Sequence, residues 1–325
     1  MKKISILFNE LQENVGESEK DTVDSSVWLK NVLDKIGYET ELIGVKTNTL
    51  EKINRIKCDL VFYLIEWTGE NTKYAFEAID ILEQNKIFYT GSGKVGYGLS
   101  CDKTLMKELF MKNKIPTPLF QILSSGDEEL LKYKYPVIIK PALEHCGVGV
   151  TQDSVVNNDQ ELKNRVKKMI SEFNQPMIAE EFIDGREFHV TVLEKNKKPW
   201  VLPPAEVVFS DVPNFRHILS YSGKWMKNSW EWSLSTMKLA EIDDSLFEKI
   251  KQICETAYVK FDGKDYPRFD FRYDGKDLYV LELNNNPGID YALNSGIGIS
   301  ARAARLTEEG LVKHIVENAL VRWND

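Results

Sequence analysis

Arg268-Phe269-Asp270-Phe271-Arg272 and, beyond an Asp274-Gly275 turn, Leu281-Glu282-Leu283-Asn284-Asn285-Asn286-Pro287-Gly288 decide how this chain is read. Asp-Gly between two strand-like runs is a hairpin signal, and here it sets Asp270 beside Glu282 at a sheet end. Polar residues recur at every second position, Arg268, Asp270 and Arg272 on one strand and Glu282 and Asn284 on the other. Such a period places them on one face. Two carboxylates and an amide oxygen are hard ligands suited to a Mg2+ ion that also holds phosphate oxygens. The pattern equally suits an exposed hairpin laced with ion pairs.

Two upstream stretches carry related chemistry. Tyr135-Pro136-Val137-Ile138-Ile139-Lys140-Pro141 reads as a buried strand that ends at a lysine, followed by the loop His145-Cys146-Gly147-Val148-Gly149-Val150. The lysine is a point charge for a phosphate, and glycines let backbone N–H groups approach phosphate oxygens. An ordinary hairpin with a solvated lysine is the alternative. The usual dinucleotide and Walker fingerprints are absent. Glu180-Glu181-Phe182-Ile183-Asp184-Gly185-Arg186-Glu187 reads as a strand and short connector. It can offer backbone groups to a purine and a carboxylate to ribose, or simply solubilise a strand end.

Working outward, the first ninety residues alternate strands (Ile4–Phe8, Thr40–Ile43, Asp59–Tyr63) with helices (Ser25–Ile36, Tyr74–Gln84). That alternation predicts a parallel sheet covered by helices, with ligands at the C-terminal strand ends. A helix over Asp102–Asn113, a helix over Glu161–Phe173, strands at Met177–Phe182 and Phe188–Leu193, and helices over Asp244–Tyr258 and Glu308–Val321 are further expectations. Residues 203–235 read as a long irregular region rich in Trp, Tyr and Ser. The expected domains are 1–97, 98–187 and 188–325. With 325 residues, 42% apolar and 28% charged, the chain has ordinary globular usage. Its net charge of −8 disfavours broad binding to nucleic acid or anionic membrane. No apolar run is long enough for a bilayer span, and the start is too short for a signal-peptide core. Cys58, Cys101, Cys146 and Cys254 form no CxxC pair, as expected of a reducing, cytoplasmic compartment.

Lys103, Lys140, Glu180-Glu181, Glu187, Asp270, Glu282 and Asn284, in that order, resemble the ATP-grasp superfamily and in particular the D-alanine–D-alanine ligase family. Phe88-Tyr89-Thr90-Gly91-Ser92-Gly93 followed by Asp102-Lys103 resembles that family's signature after its first domain. The resemblance runs from about Phe88 to the C-terminus. It implies an α/β (overall α+β) ATP-grasp fold: a Rossmann-like first domain, a small central domain and a C-terminal domain that clamps ATP. It further implies that Lys103 and Lys140 contact phosphates and that His145, Cys146, Gly147, Val148 and Gly149 fold over them. Glu180, Glu181, Phe182, Ile183 and Leu281 would surround adenine, and Glu187 would hold ribose. Asp270, Glu282 and Asn284 would carry two Mg2+ ions, with Mn2+ as a substitute. Arg268 would stabilise an oxyanion, and Lys224, in a mobile loop Tyr221-Ser222-Gly223-Lys224-Trp225, would reach the γ-phosphate, with Gly149 counted among the catalytic groups. The implied reaction joins a carboxylate to an amine through an acyl phosphate, with the 203–235 segment as a lid. A homodimer is implied by analogy.

The substrate side departs from the family. The glycine pair and Ser-x-Glu element after the first strand are replaced by Phe8-Asn9-Glu10-Leu11-Gln12-Glu13-Asn14-Val15-Gly16-Glu17, with Glu13 as a candidate substrate contact. Ile65-Glu66 replaces a His-Gly pair, Cys146-Gly147 a serine pair, and the serine-leucine pair after Pro287-Gly288 falls near Leu293-Asn294. Tyr221, Trp225, Gly288, Asn294 and Ser295 are the remaining candidate substrate contacts. The expectation is ATP-dependent ligation with substrates that need not be two D-alanines. Another carboxylate or amine substrate, or an ATP-binding module without turnover, are the alternatives. His189 and His217 lack partners at metal spacing and read as packing residues, and Cys146 as a passive loop cysteine.

Overall fold

The computed structural model describes residues 1–10, 17–66 and 73–324. Its first unit is a parallel sheet of β1 (Lys3–Asn9), β2 (Glu39–Val45) and β3 (Leu60–Leu64) in the order β2-β1-β3. Helices α1 (Glu17–Lys35), α2 (Lys73–Gln84) and α3 (Lys94–Cys101) accompany it. Strand β3 explains the layering. Leu60, Phe62 and Leu64 enter one apolar cluster, while Val61, Tyr63 and the following Ile65 enter another. A strand covered on both faces reads as a continuous hydrophobic run, as this one does.

The middle of the chain builds α4 (Lys103–Lys112), β4 (Phe120–Leu123), β5 (Val137–Pro141), β6 (Val155–Val156), α5 (Asp159–Phe173) and β7 (Met177–Glu181). Asp102 caps α4 by accepting from the Thr104 and Leu105 N–H groups, which places Lys103 at the first helical position. The strands form an antiparallel sheet, β4-β7-β5-β6. Leu162, Val166 and Met169 of α5 cover it, packed on Leu123, Val137, Ile139, Met177 and Ala179.

The larger sheet is antiparallel, β11-β10-β8-β12-β13, with a flanking strand on β8. Its members are β8 (Arg186–Lys195), β9 (Lys198–Val201, the flanking strand), β10 (Ala205–Phe209), β11 (Ser235–Leu239), β12 (Arg268–Tyr273) and β13 (Leu278–Asn284). Phe188, Val190, Val192, Phe269, Phe271, Val280 and Leu283 point to one face, where α7 (Asp244–Lys260) and Met106 and Phe110 of α4 cover them. The intervening polar residues are left for the opposite face. The 203–235 segment is thus not wholly irregular: it contains β10, the short α6 (Tyr221–Trp225) and the start of β11. Strand β11 is an exposed edge of mostly polar residues, so it carries no hydrophobic alternation to reveal it.

After β13 the chain forms α8 (Gly296–Ala303) and returns to the first unit as α9 (Glu308–Asn324). Leu311, Val312, Ile315, Val316 and Ala319 of α9 are fully buried with Ile4, Ile6, Leu29 and Phe62. Phe88 and Trp323 stack at 5.3 Å, and Arg322 pairs with buried Asp265 at 3.0 Å. Asp265 in turn accepts from the Gly91 N–H at 2.6 Å.

Candidate active site

The register of the large sheet assembles a grid of polar side chains. Asp270 lies opposite Glu282 on one side and His189 on the other, while Arg272 lies opposite Glu187 and Arg268 opposite Asn284. Between Asp270 and Phe271 the pairing slips, from Asp270↔Glu282 to Phe271↔Val280, so Leu281 is an extra residue on β13. A bulge re-aims side chains, and here Leu281 and Glu282 line the same cavity despite being sequence neighbours.

That cavity lies between the two antiparallel sheets. From the small sheet and α4 come Lys103, Lys140, Glu180, Glu181, Phe182 and Ile183, and from the large sheet Glu187, His189, Asp270, Arg272, Leu281 and Glu282. His145, Cys146, Gly147 and Val148 cross one side, and Lys224 closes another. Lys103 donates to the Glu144 carbonyl, which fixes its ammonium at the cavity wall. Glu180 is 1% exposed and bridges Lys107, at 2.5 Å, and Lys140. Burial pushes its carboxyl up, but the two lysines outweigh burial and hold it down at about 2. Burial lowers Lys107 to about 8, while the same carboxylate keeps Lys140 above the usual lysine value against burial. Glu187 is also buried; Arg272 at 2.7 Å, with His189, overcomes its desolvation and brings it to about 2.

These two carboxyls predict an acid limb in stability. Their folded pKa values lie below the usual 4.5, so their contribution is complete above about pH 4.5 and is lost as pH falls towards 2. Each shift corresponds to roughly 3 kcal/mol. The urea midpoint is expected to drop steeply below pH 4.5, with a shallower drop in Glu187→Gln. A midpoint independent of pH between 5 and 3 would contradict this.

Asp270 and Glu282 both sit below ordinary carboxylate values. For Asp270 burial opposes ionisation but Arg268 and His189 prevail; for Glu282 burial is offset by Lys103, against repulsion from Asp270. Arg268 grips Asp270 with two bonds, Nε–Oδ1 at 2.7 Å and Nη2–Oδ2 at 2.9 Å, and the Asn284 amide donates to Oδ2 at 3.4 Å. Two facing carboxylates that repel one another, with an amide oxygen beside them and lysines around, fit a hard dication with phosphate oxygens in its shell.

A second cavity, about 480 Å3, continues from the first. His145, Cys146, His189, Lys224 and Glu282 line both. Its walls add Arg268, Asn284, Gly288, Asn294 and Trp225, with the carboxylates of Asp21, Glu66 and Asp290. Asp21 Oδ2 and Glu66 Oε1 each stand 3.8 Å from the point where a Cβ on Gly288 would lie. Burial and then Asp290 raise Asp21 to about 6, and burial raises Glu66 as well.

The segment over both cavities docks on the glycine loop. Trp225 Nε1 donates to the Cys146 carbonyl at 3.0 Å, and Glu231 accepts from Ser220, Ser222 and Gln152 at 2.7, 2.6 and 2.9 Å. Gly147 has φ +82°, and a Cβ there would come within 3.2 Å of the Tyr221 nitrogen, so only glycine lets this segment approach.

Some expected site residues lie elsewhere. Gly149 lines neither cavity; its α-carbon faces Pro141 and Phe173. Ser295 caps α8, its hydroxyl accepting from Gly298 N–H at 3.0 Å, and Tyr221 is outside both linings. Glu13 lies outside the described residues. Sequence reasoning missed Lys107, His189 and Arg272. Lys107 stands one helical turn after Lys103, and the run Glu187, His189, Thr191 alternates just as Arg268, Asp270, Arg272 does.

Two sheets gripping a slot, one supplying lysines and the other carboxylates, define an ATP-grasp enzyme. The family model described as D-ala D-ala ligase C-terminus matches residues 110–317. A D-alanine–D-alanine ligase of Pediococcus pentosaceus is 30% identical over 261 residues, 79% of this chain and 68% of that protein. A crystal structure of the D-alanine–D-alanine ligase from Bacillus anthracis complexed with ATP superposes with TM-score 0.77 at 20% identity, covering 100% of this chain and 99% of that one. The VanG D-Ala:D-Ser ligase of Enterococcus faecalis does so with TM-score 0.76 at 19% identity, covering 98% and 99%. The chain belongs to the D-alanine–D-alanine ligase family. It is an ATP- and Mg2+-using ligase that forms carbon–nitrogen bonds. Among the described residues no helix is long and apolar enough to cross a membrane.

Proposed function

We propose that the chain joins the carboxyl group of one amino acid to the amine of a second in the larger cavity, with ATP in the slot beside it. The observation that carries this is the shared wall: Lys224, His189 and Glu282 face both spaces, so a phosphate at the end of the slot meets a carboxylate in the chamber. Lys103 and Lys140 hold phosphates; the Glu181–Ile183 connector receives adenine and Glu187 ribose. Asp270, Glu282 and Asn284 would hold Mg2+, which would supply charge neutralisation for phosphate oxygens. Arg268 stabilises the oxyanion at the reacting carbon, and the docked 203–235 segment keeps water from the activated carboxyl. The acidic wall of Asp21, Glu66 and Asp290 receives a substrate ammonium.

The relatives are named for D-alanine and, in VanG, for D-alanine and D-serine. Leu293, where the family pattern has serine, is 83% exposed, leaving Asn294 on the wall. The second substrate's carboxylate is therefore recognised differently, and the substrate pair extends beyond two D-alanines. Action in the cytoplasm, as a homodimer, belongs to the same reading. Coupled ADP release over D- and L-amino acids and dipeptides, with mass spectrometry of the amide product, tests it. Amide formation that needs ATP and Mg2+, and falls at least about a hundredfold in Glu282→Gln, is expected. Exclusive use of D-alanine would overturn the altered specificity, and phosphate release without amide would overturn ligation.

A further inference from the structure

We propose that Glu66, His145 and Cys146 form a binding site for a transition-metal dication such as Zn2+, separate from the oxygen-donor site on Asp270 and Glu282. The Cys146 Sγ lies 3.1 Å from His145 Nδ1 and 4.0 Å from Glu66 Oε2. One donor atom from each residue lies within 4.8 Å of the others. Tetrahedral zinc, with bonds of about 2.0–2.3 Å, holds its donors roughly 3.3–3.6 Å apart. Closing this set onto one ion thus needs side-chain shifts of up to about 1.5 Å at the Glu66 corner.

The backbone makes the pairing possible. Neighbouring residues of an extended chain point to opposite sides, but Cys146 has φ +55° and Gly147 φ +82°. This left-handed turn brings the sulfur round to the imidazole of the preceding residue. Glu66 follows β3 of the first sheet, whereas His145 and Cys146 belong to the glycine loop of the middle unit. An ion there links the two units.

The donor set separates the two metal sites by chemistry. Sulfur, nitrogen and oxygen together favour zinc, cobalt or copper over magnesium. Asp270, Glu282 and Asn284 offer only oxygen. Burial pushes the Cys146 thiol well above its usual value, with Glu66 and Glu282 adding to the rise and Lys224 and Arg268 opposing it, so a bound metal displaces the thiol proton. His145 and Cys146 line both cavities and Glu66 the larger one, so the ion sits at the passage between nucleotide and amino acid. The site stands independently of the ligase reading, because its donors and test involve neither ATP nor product.

Cobalt is the probe. Co2+ titrated into the reduced, nucleotide-free full chain is expected to give one equivalent of thiolate-to-cobalt charge-transfer absorption in the near ultraviolet, removed by excess Zn2+. The oxygen-only site cannot produce that band. Cys146→Ser should abolish it. Glu66→Gln and His145→Ala should each weaken binding at least about tenfold, since even outer-shell changes cost that much. These two variants carry the test should the serine variant fail to fold, judged by its melting transition. Three outcomes overturn the proposal: absence of the band, persistence in Cys146→Ser through another cysteine, or unchanged affinity in both Glu66→Gln and His145→Ala.

Discussion

Arg268→Met is expected to lower kcat by about 10²–10³-fold, the usual loss when one oxyanion donor is removed. The guanidinium stands where the two roles proposed for it can be separated. It holds Asp270 through two bonds and also lines the amino-acid cavity. Should its only task be to orient Asp270, the variant would raise the Mg2+ and ATP concentrations needed for half-maximal rate and leave kcat at saturation nearly intact. Steady-state kinetics at saturating ATP and Mg2+ distinguish the cases, and a kcat within threefold of the parent would remove Arg268 from the chemistry. Arg268→Lys keeps the charge but loses the fork, so it should recover only part of the rate.

Glu180→Leu should have the largest effect on stability, about 3–5 kcal/mol, because it leaves two buried ammonium groups facing each other. Lys107 is 1% exposed, and its other hydrogen bonds go to the Thr117 hydroxyl at 2.6 Å and the Val280 carbonyl. Neither neutralises a charge. Urea denaturation of Glu180→Leu, Lys107→Met and the double variant gives the coupling. The double variant should recover much of the loss, since replacing both partners of a buried pair by apolar groups is often near neutral. Equal losses in Glu180→Leu and the double variant would mean that the charge is not what the carboxylate contributes. Because Lys140 shares Glu180, Glu180→Leu should also weaken nucleotide binding by more than its distance from the phosphates suggests.

The contrast between Asp270 and His189 shows what could be read without coordinates. Asp270 and Glu282 were legible because an Asp-Gly turn and a two-residue period suffice to pair neighbouring strands. His189 meets Asp270 only through the pairing of β8 with β12, some eighty residues apart in sequence. No local spacing reports a contact of that kind. The order of the lysines and carboxylates supplied the fold through resemblance, where alternation alone gave just a parallel sheet. Leu281 entered the cavity list from the resemblance too; a regular strand would have turned it away, and only the bulge explains its place. Lys107 hid in plain view because a lysine on a helix ordinarily faces water. The 203–235 segment was opaque for a different reason: its strands depend on neighbours, and a buried hub such as Glu231 is recognisable only once Ser220, Ser222 and Gln152 surround it.

The return of α9 to the first sheet sets the order in which the polypeptide can mature. The apolar stripe of Leu311, Val312, Ile315, Val316 and Ala319 packs on Ile4, Ile6 and Phe62, which are made about 250 to 315 residues earlier. Until α9 is made, that face of the sheet is covered by α1, through Leu29, Val32 and Leu33. The core of the first unit is therefore complete only once α9 docks beside α1, and until then part of its apolar face stays open to unwanted association.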